Sequence, residues 1–190
     1  TISANGTYQE PGYSALDNVD GDISSKVVIT GTVDTATVGT YSISYNVADA
    51  AGNNAATLTR QVTVQDATAP VVIAPNNITV AATDAQGILQ SDTVITSFLN
   101  AASATDDVDG AVAVTHNAPT TFAIGSTTVT YTATDAAGNT GTAQATVTVV
   151  DQTKPVISLS GNTSMTISAN GTYQEPGYSA LDNVDGDISS

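Results

Sequence analysis

The sequence predicts an all-β fold built of small antiparallel β-sandwiches in tandem, on three observations. Short segments rich in Val, Ile, Thr and Tyr alternate in polarity every second residue, as half-buried strands do. Clusters of Gly, Asn, Asp and Ser separate them and read as turns. The chain also repeats itself: Thr1–Ser25 (TISANGTYQEPGYSALDNVDGDISS) returns unchanged as Thr166–Ser190, a spacing of 165 residues. Both ends fall in one motif, so the expectation is a window on a longer array of recently copied units.

Strands are expected at Val27–Thr30, Thr40–Val47, Thr57–Val64, Val71–Ala74, Ile78–Ala81, Val112–Thr115, Thr127–Thr134 and Thr142–Val150. In the second of these Tyr41, Ile43, Tyr45 and Val47 share one face while Ser42, Ser44 and Asn46 share the other, which suits a sheet packed on one side. Val129, Tyr131 and Ala133 follow the same rule, and Tyr45 and Tyr131 are expected to point inward with a hydroxyl bonded across the sandwich. Met165 is expected in the core or a strand. Within Ser91–Asn100 the period changes. Val94, Ile95, Phe98 and Leu99 recur at helical spacing behind Ser91 or Asp92 as N-cap, which predicts one short helix over an open end of the second sandwich.

A second, weaker repeat relates the halves. Asn46–Asn53 (NVADAAGN) matches Thr132–Asn139 (TATDAAGN), and Val62–Asp66 (VTVQD) matches Val147–Asp151 (VTVVD), with Pro70 and Pro155 soon after. Prolines that open a new strand after an acidic residue mark the boundaries. Module one is thus residues 1–66, lacking its first strand; module two is 67–151; and 152–190 begin the next copy of module one.

Modules this small bury a modest share of their surface and need staples. There is no cysteine, so disulfides are excluded and a metal ion is the remaining candidate. Eighteen acidic residues against three basic ones, Lys26, Arg60 and Lys154, give a formal charge of −15. That charge repels nucleic acid and anionic lipid, so neither nucleic acid nor direct membrane contact is expected. The single histidine, His116, reads as an exposed strand-edge residue, which leaves no base for a hydrolytic triad. Acidic loops recurring in every module read as structural ligands before they read as a glycosidase pair. No enzyme is expected.

Asp17-Asn-Val-Asp-Gly-Asp22 and Asp106-Asp-Val-Asp-Gly110 occupy the same place in their modules. Crowding carboxylates around a glycine is unfavourable unless a cation sits among them. Hard divalent ions prefer such oxygen ligands, and calcium takes ~6–8 of them in adaptable geometry. In a sandwich of this topology that loop lies beside the loop between the last two strands, where the chain enters. The second loop is Asp49–Asn53 or Asp135–Asn139, and each linker adds an aspartate. Asp66, Asp106, Asp107, Asp109, Asp135 and Asn139 are therefore expected to converge before module two. Asp151, Asp182, Asp185 and Asp187 are expected to do so before the next module one, and Asp17, Asp20 and Asp22 with Asp49 and Asn53 form the first copy. Solvated Asx turns are the plainer alternative for any one loop. The expected cofactor is Ca2+.

Gly12-Tyr-Ser-Ala-Leu-Asp-Asn-Val-Asp-Gly-Asp-Ile23 followed by Val38–Asn53 resembles the bacterial Ig-like surface repeats of the pesticidal-crystal and DUF5011 type. Ala104–Gly110 with Phe122–Asn139 resembles a hyalin repeat (HYR) module, also Ig-like. Together they cover nearly the whole chain. The resemblance implies a secreted or cell-surface location in a long bacterial protein of the adhesin or fibre kind, with calcium stiffening the array. The expected function is a calcium-rigidified structural repeat of a stalk, adhesin or fibre. Its partners would be neighbouring repeats of the same chain, lateral or end-to-end copies, and a glycan or protein target elsewhere in the protein. Two alternatives stand beside it. One is a glycan- or protein-binding module. The other is a subunit that assembles by strand donation, against which Thr166–Ser190 merely repeats strands that module one already has, leaving Pro155–Met165 as the only new segment.

Overall fold

The structure, a computed structural model, describes residues 1–189; Ser190, the last residue of the expected third segment, lies outside the described residues. The chain divides into two compact units. The first is Thr1–Pro70 with the loops Asp106–Gly110 and Asp135–Asn139, and the second is the remainder.

In the first unit the strands are β1 (Ile2–Ser3), β2 (Leu16–Asp17), β3 (Gly21–Asp22), β4 (Val28–Thr30), β5 (Gly39–Asn46) and β6 (Leu58–Gln65). They form a four-stranded sheet in the order β1-β6-β5-β4 and a separate β2-β3 ribbon. β5 runs antiparallel to β6 with Tyr41 opposite Val62 and Tyr45 opposite Leu58, while β1 joins the far edge of β6 in parallel. The expected alternation in β5 holds over Tyr41–Ile43, with Tyr41 half-buried, Ser42 exposed and Ile43 buried, and fades beyond it, where Ser44, Tyr45 and Asn46 are all half-buried. Ile43, Val62, Val64, Ala4 and Ile23 are the buried apolar residues of this unit. The Tyr45 hydroxyl donates to Glu10 at 2.6 Å, and Glu10 also pairs with Arg60.

The second unit is built on β7 (Val71–Ile73), β8 (Ile78–Ala81), β9 (Ile88–Leu89), helix α1 (Thr93–Leu99), β10 (Ser103–Asp106), β11 (Gly110–Ala111), β12 (Val114–His116), β13 (Thr121–Phe122), β14 (Gly125–Thr134) and β15 (Thr140–Val150), with Asp106 and Gly110 belonging to the loop grouped with the first unit. Its main sheet has the order β12-β14-β15-β8, faced by β11-β10-β7. Strict alternation buries Val129, Tyr131 and Ala133 of β14 and Ala145, Val147 and Val149 of β15. All of these but Ala133 pack with Phe122, Ile88, Phe98 and Ile95 in one core.

The helix forms where its period predicts. Asp92 caps it, accepting from the Val94 amide at 2.9 Å, which satisfies one of the free N–H groups of the first turn. Ile95, Phe98 and Leu99 are buried, but Val94 is half exposed because it lies on the outer side of the first turn. Phe98 meets Tyr131 edge-on at 6.2 Å. The Tyr131 hydroxyl corrects an expectation: it is buried and has no hydrogen-bond partner among the described residues, so it is not bonded across the sandwich. His116 is an exposed edge residue, as expected, with Nδ1 accepting from the Ala118 amide at 3.3 Å.

Residues 152–189 carry β16 (Val156–Leu159), β17 (Tyr178–Asp182) and β18 (Gly186–Asp187), in the order β16-β17-β18. Every residue of β16 is exposed. Met165 is also exposed and outside any strand, correcting its expected place in the core.

Candidate metal centre

Each acidic loop folds by the same local rule. The first aspartate turns one carboxylate oxygen onto the backbone that follows: Asp17 accepts from the Val19 and Asp20 amides, both at 2.8 Å. Asp106 accepts from Val108 and Asp109 at 2.9 and 3.1 Å, and Asp182 from Val184 and Asp185 at 2.8 and 3.0 Å. These Asx turns end on a glycine at positive φ, +74° at Gly21, +72° at Gly110 and +75° at Gly186, a conformation a side chain disfavours. The companion loops also agree. Asp49 receives the Asn53 backbone and side-chain amides, both at 2.7 Å. Asp135 receives those of Asn139 at 2.7 and 2.8 Å.

The two loops of each module meet. Asp20 accepts from the Ala50 amide and Asp109 from the Ala136 amide, each at 2.6 Å. In the first unit this brings Asp66, Asp109 and Asp135 together, each offering a carboxylate oxygen within 4.8 Å of the others. Asp66, Asp106 and Asp107 form a second such group, so Asp66 belongs to both. In the second unit Asp151, Asp182 and Asp185 form a third.

Other expected ligands lie outside these groups. Asp22 and Asp187 instead cap the residues behind them, each accepting from a serine amide, that of Ser24 and that of Ser189. Asn53 and Asn139 turn their side-chain N–H toward their aspartates and so orient carboxylates. Asp17, Asp20 and Asp49 make no three-carboxylate group among the described residues, and Lys26 lies 3.8 Å from Asp20.

Electrostatics follow from these bonds. The Asn53 side chain, then its backbone, hold the Asp49 carboxyl below its ordinary value. At Asp17 the Asp20 and Val19 amides do the same. Burial pushes Asp135 upward, but the bonds from Asn139 and from the Gly138 and Ala137 backbone outweigh it and leave the carboxyl lowered. These groups are therefore held as anions, the form a cation needs.

The linker cluster also fits an ion by what it lacks. Asp66 satisfies Oδ1 with the Thr68 amide at 3.0 Å, and Asp106 satisfies Oδ1 as above, yet the Oδ2 atoms of both are buried with no partner. A buried unpartnered carboxylate oxygen is costly. Two of them in one group of three acids are what a hard cation would satisfy. Sequence reading missed Asn5, whose side chain donates to Asp107 at 3.1 Å from a backbone at φ +58°. Asn before Gly is a turn signal, and nothing in it pointed across 102 residues.

Residues 1–64 match the family described as bacterial surface protein, Ig-like domain, and residues 65–149 match the HYR domain. The chain is 33% identical over 156 residues to hyalin of Strongylocentrotus purpuratus, a match covering 75% of this chain. It spans 12% of hyalin's length. A solved lipoprotein from Bacteroides thetaiotaomicron overlaps 74% of this chain and 91% of its own at 20% identity, with a TM-score of 0.32, too loose an overlap to bear on the arrangement.

Proposed function

We propose, for a chain that carries a bacterial surface Ig-like domain at residues 1–64 and a HYR domain at residues 65–149, that it is a structural repeat of an extracellular stalk, adhesin or fibre and that calcium rigidifies it. The domains are non-catalytic surface modules of the adhesion type. No helix among the described residues is long and apolar enough to cross a membrane.

One observation carries the calcium reading: the unpartnered buried oxygens of Asp66 and Asp106 within a group of three carboxylates. Asp66, Asp106 and Asp107 would hold one ion, Asp66, Asp109 and Asp135 a second, and Asp151, Asp182 and Asp185 an equivalent one. The ion supplies charge neutralisation and oxygen coordination. Asp66 belongs to the linker, while the other four acids belong to the Asp106–Gly110 and Asp135–Asn139 loops, so binding would tie the linker to both loops and restrict bending. With fifteen net negative charges, the chain needs counterions in any case. Because the ion binds only folded modules, its stabilisation grows with its concentration above the dissociation constant, which suits a calcium-rich exterior.

Calcium titration followed by calorimetry and solution scattering tests this. Binding, a raised Tm and a rod that becomes flexible on chelation are expected. A chelator that leaves both Tm and the scattering-derived length unchanged would refute it.

A further inference from the structure

Two of the acidic loops reach back to a turn of the domain before them, and they do so through their second residue. That residue is Asp107 in Asp106–Gly110 and Asn183 in Asp182–Gly186. The two turns correspond. Each follows a strand paired in parallel with a long strand, β1 with β6 and β8 with β15. Each opens on a buried alanine whose amide donates at 2.8 Å to that neighbour, Ala4 to the Gln65 carbonyl and Ala82 to the Val150 carbonyl. The first turn and its loop belong to the first compact unit, the second pair to the other.

What the turns offer is opposite. After Ala4 comes Asn5, whose side-chain N–H donates to Asp107 Oδ2 at 3.1 Å while its own amide is held by the Thr35 carbonyl at 2.7 Å. Asn5 lies at φ +58° and Asn170, the same residue in the next copy, at +65°, so the local sequence sets this conformation, which asparagine tolerates. The donor is preorganised. After Ala82 comes Thr83, whose hydroxyl is already given to the Gly87 carbonyl at 2.9 Å. That turn meets its loop with a backbone acceptor, the Ala82 carbonyl, and Asn183 Nδ2 donates to it at 3.2 Å. Beside Asn183, Val184 is half-buried against the core that holds Ala82, Ile95 and Tyr131. Val108, beside Asp107, is half-buried too.

We propose that the second residue of each acidic loop is a pairing code that selects the kind of domain on which the loop seats, with the valine after it as a common apolar plug. An acceptor, Asp107, matches the asparagine turn of the Ig-like domain. A donor, Asn183, matches the threonine turn of the HYR domain. The code is asymmetric. An ionised aspartate has no N–H, so a loop of the Asp107 kind on the Ala82 turn would set two acceptors against each other. An asparagine on the Asn5 turn could still present its carbonyl oxygen and loses only the charge-assisted part of the bond. Specificity is a difference of affinities, and here it disfavours two HYR domains in succession. The proposal rests on the structural-repeat reading and not on an ion, since Asn5, Ala82 and Asn183 lie outside the carboxylate groups.

The full chain in chelator tests it, where calcium plays no part. Nuclear Overhauser contacts between the Val184 methyls and the core of the HYR domain report seating, and urea removes them. The midpoint of that loss should fall for Asn183→Ala and fall further for Asn183→Asp. Asn5→Asp should lower Tm, and adding Asp107→Asn, which reverses donor and acceptor, should restore it by about 2 °C or more beyond the effect of Asp107→Asn alone. A parent without Val184 contacts would overturn the proposal, as would strictly additive Tm shifts. So would Asn183→Ala seated as firmly as the parent, even with Asn183→Asp unseated, because added charge alone would then explain the loss.

Discussion

Replacing Asp66 by asparagine should change stability in opposite directions with and without calcium. Asp66 shares one carboxylate group with Asp109 and Asp135 and another with Asp106 and Asp107, with oxygens within 4.8 Å in each. Two unit charges at that separation repel by about 1 kcal/mol in water-like surroundings. The side-chain amide of the Asp66→Asn variant would keep a carbonyl oxygen for the Thr68 amide and turn an N–H₂ toward its acidic neighbours. In chelator the variant should therefore be more stable by roughly 1–2 kcal/mol, allowing for screening. For a domain of this size that raises Tm by roughly 4–16 °C. With calcium at a hundred times its dissociation constant, the parent gains about 2.7 kcal/mol. The variant, short of a ligand and a charge at both groups, loses most of that gain and melts below the parent. Calorimetry in chelator and in millimolar calcium reads both signs. A shift in the same direction under both conditions would refute the reasoning, since simple repulsion or simple damage to the Asx turn gives one sign only.

Tyr131→Phe removes a buried hydroxyl without a partner and should leave stability unchanged or raise it by up to about 1 kcal/mol; a loss above that in denaturant melts would show that the hydroxyl is bonded. Burial holds the Tyr131 phenol above its ordinary value, so its contribution is complete below the unfolded-state value near 10 and disappears as pH rises through the folded one. Alkaline melts of the parent should decline more steeply than those of Tyr131→Phe, which keeps the shares of Tyr45, raised by burial, and of Tyr173, raised by its bond to Glu175. Gly87 has φ +112°, and a Cβ there would sit 2.0 Å from the Phe122 carbonyl oxygen. Gly87→Ala should therefore destabilise module two by several kcal/mol and broaden its amide spectrum; a variant within about 1 kcal/mol of the parent would show that β9 and β13 shift freely. Asp92→Ala, which deletes the α1 cap, should lose about 0.5–2 kcal/mol in urea unfolding.

Long strands and the helix were legible because one face of each is repeated often enough to show its period. β14 and β15 alternate through three buried residues apiece, and α1 brings Ile95, Phe98 and Leu99 to one stripe. Of the short strands, β4, β7 and β8 form within the expected Val27–Thr30, Val71–Ala74 and Ile78–Ala81, but others were not legible. β10 is Ser-Ala-Thr-Asp, and β9, β11 and β13 have two residues each; with so few residues the pairing partner makes the strand, and no local propensity announces it. In the acidic sites the sequence showed which loops would meet, since Asp, Asn and Gly recur at matched places, and the Asp109 to Ala136 bond joins two of them. It did not show that Asp22 and Asp187 cap serine amides instead. Asp-x-Ser and Asp-x-Val are both Asx turns, and their difference lies in where the unused oxygen points.

The two modules should not melt together. Module two surrounds Tyr131, Phe122, Ile95 and three valines that are almost fully buried, with a helix closing the core. Module one buries only Ile43, Val62, Val64, Ala4 and Ile23, and leaves Leu16 80% and Leu58 70% exposed. Burying a side chain of this size contributes roughly 1.5–3 kcal/mol, so a core smaller by several residues has less to set against chain entropy. On heating in chelator, hydrogen exchange at β5 and β6 should therefore rise before that at β14 and β15, as two separable transitions. Equal protection of β5 and β14 up to one common melting point would mean that the stability of module one comes from somewhere other than its core.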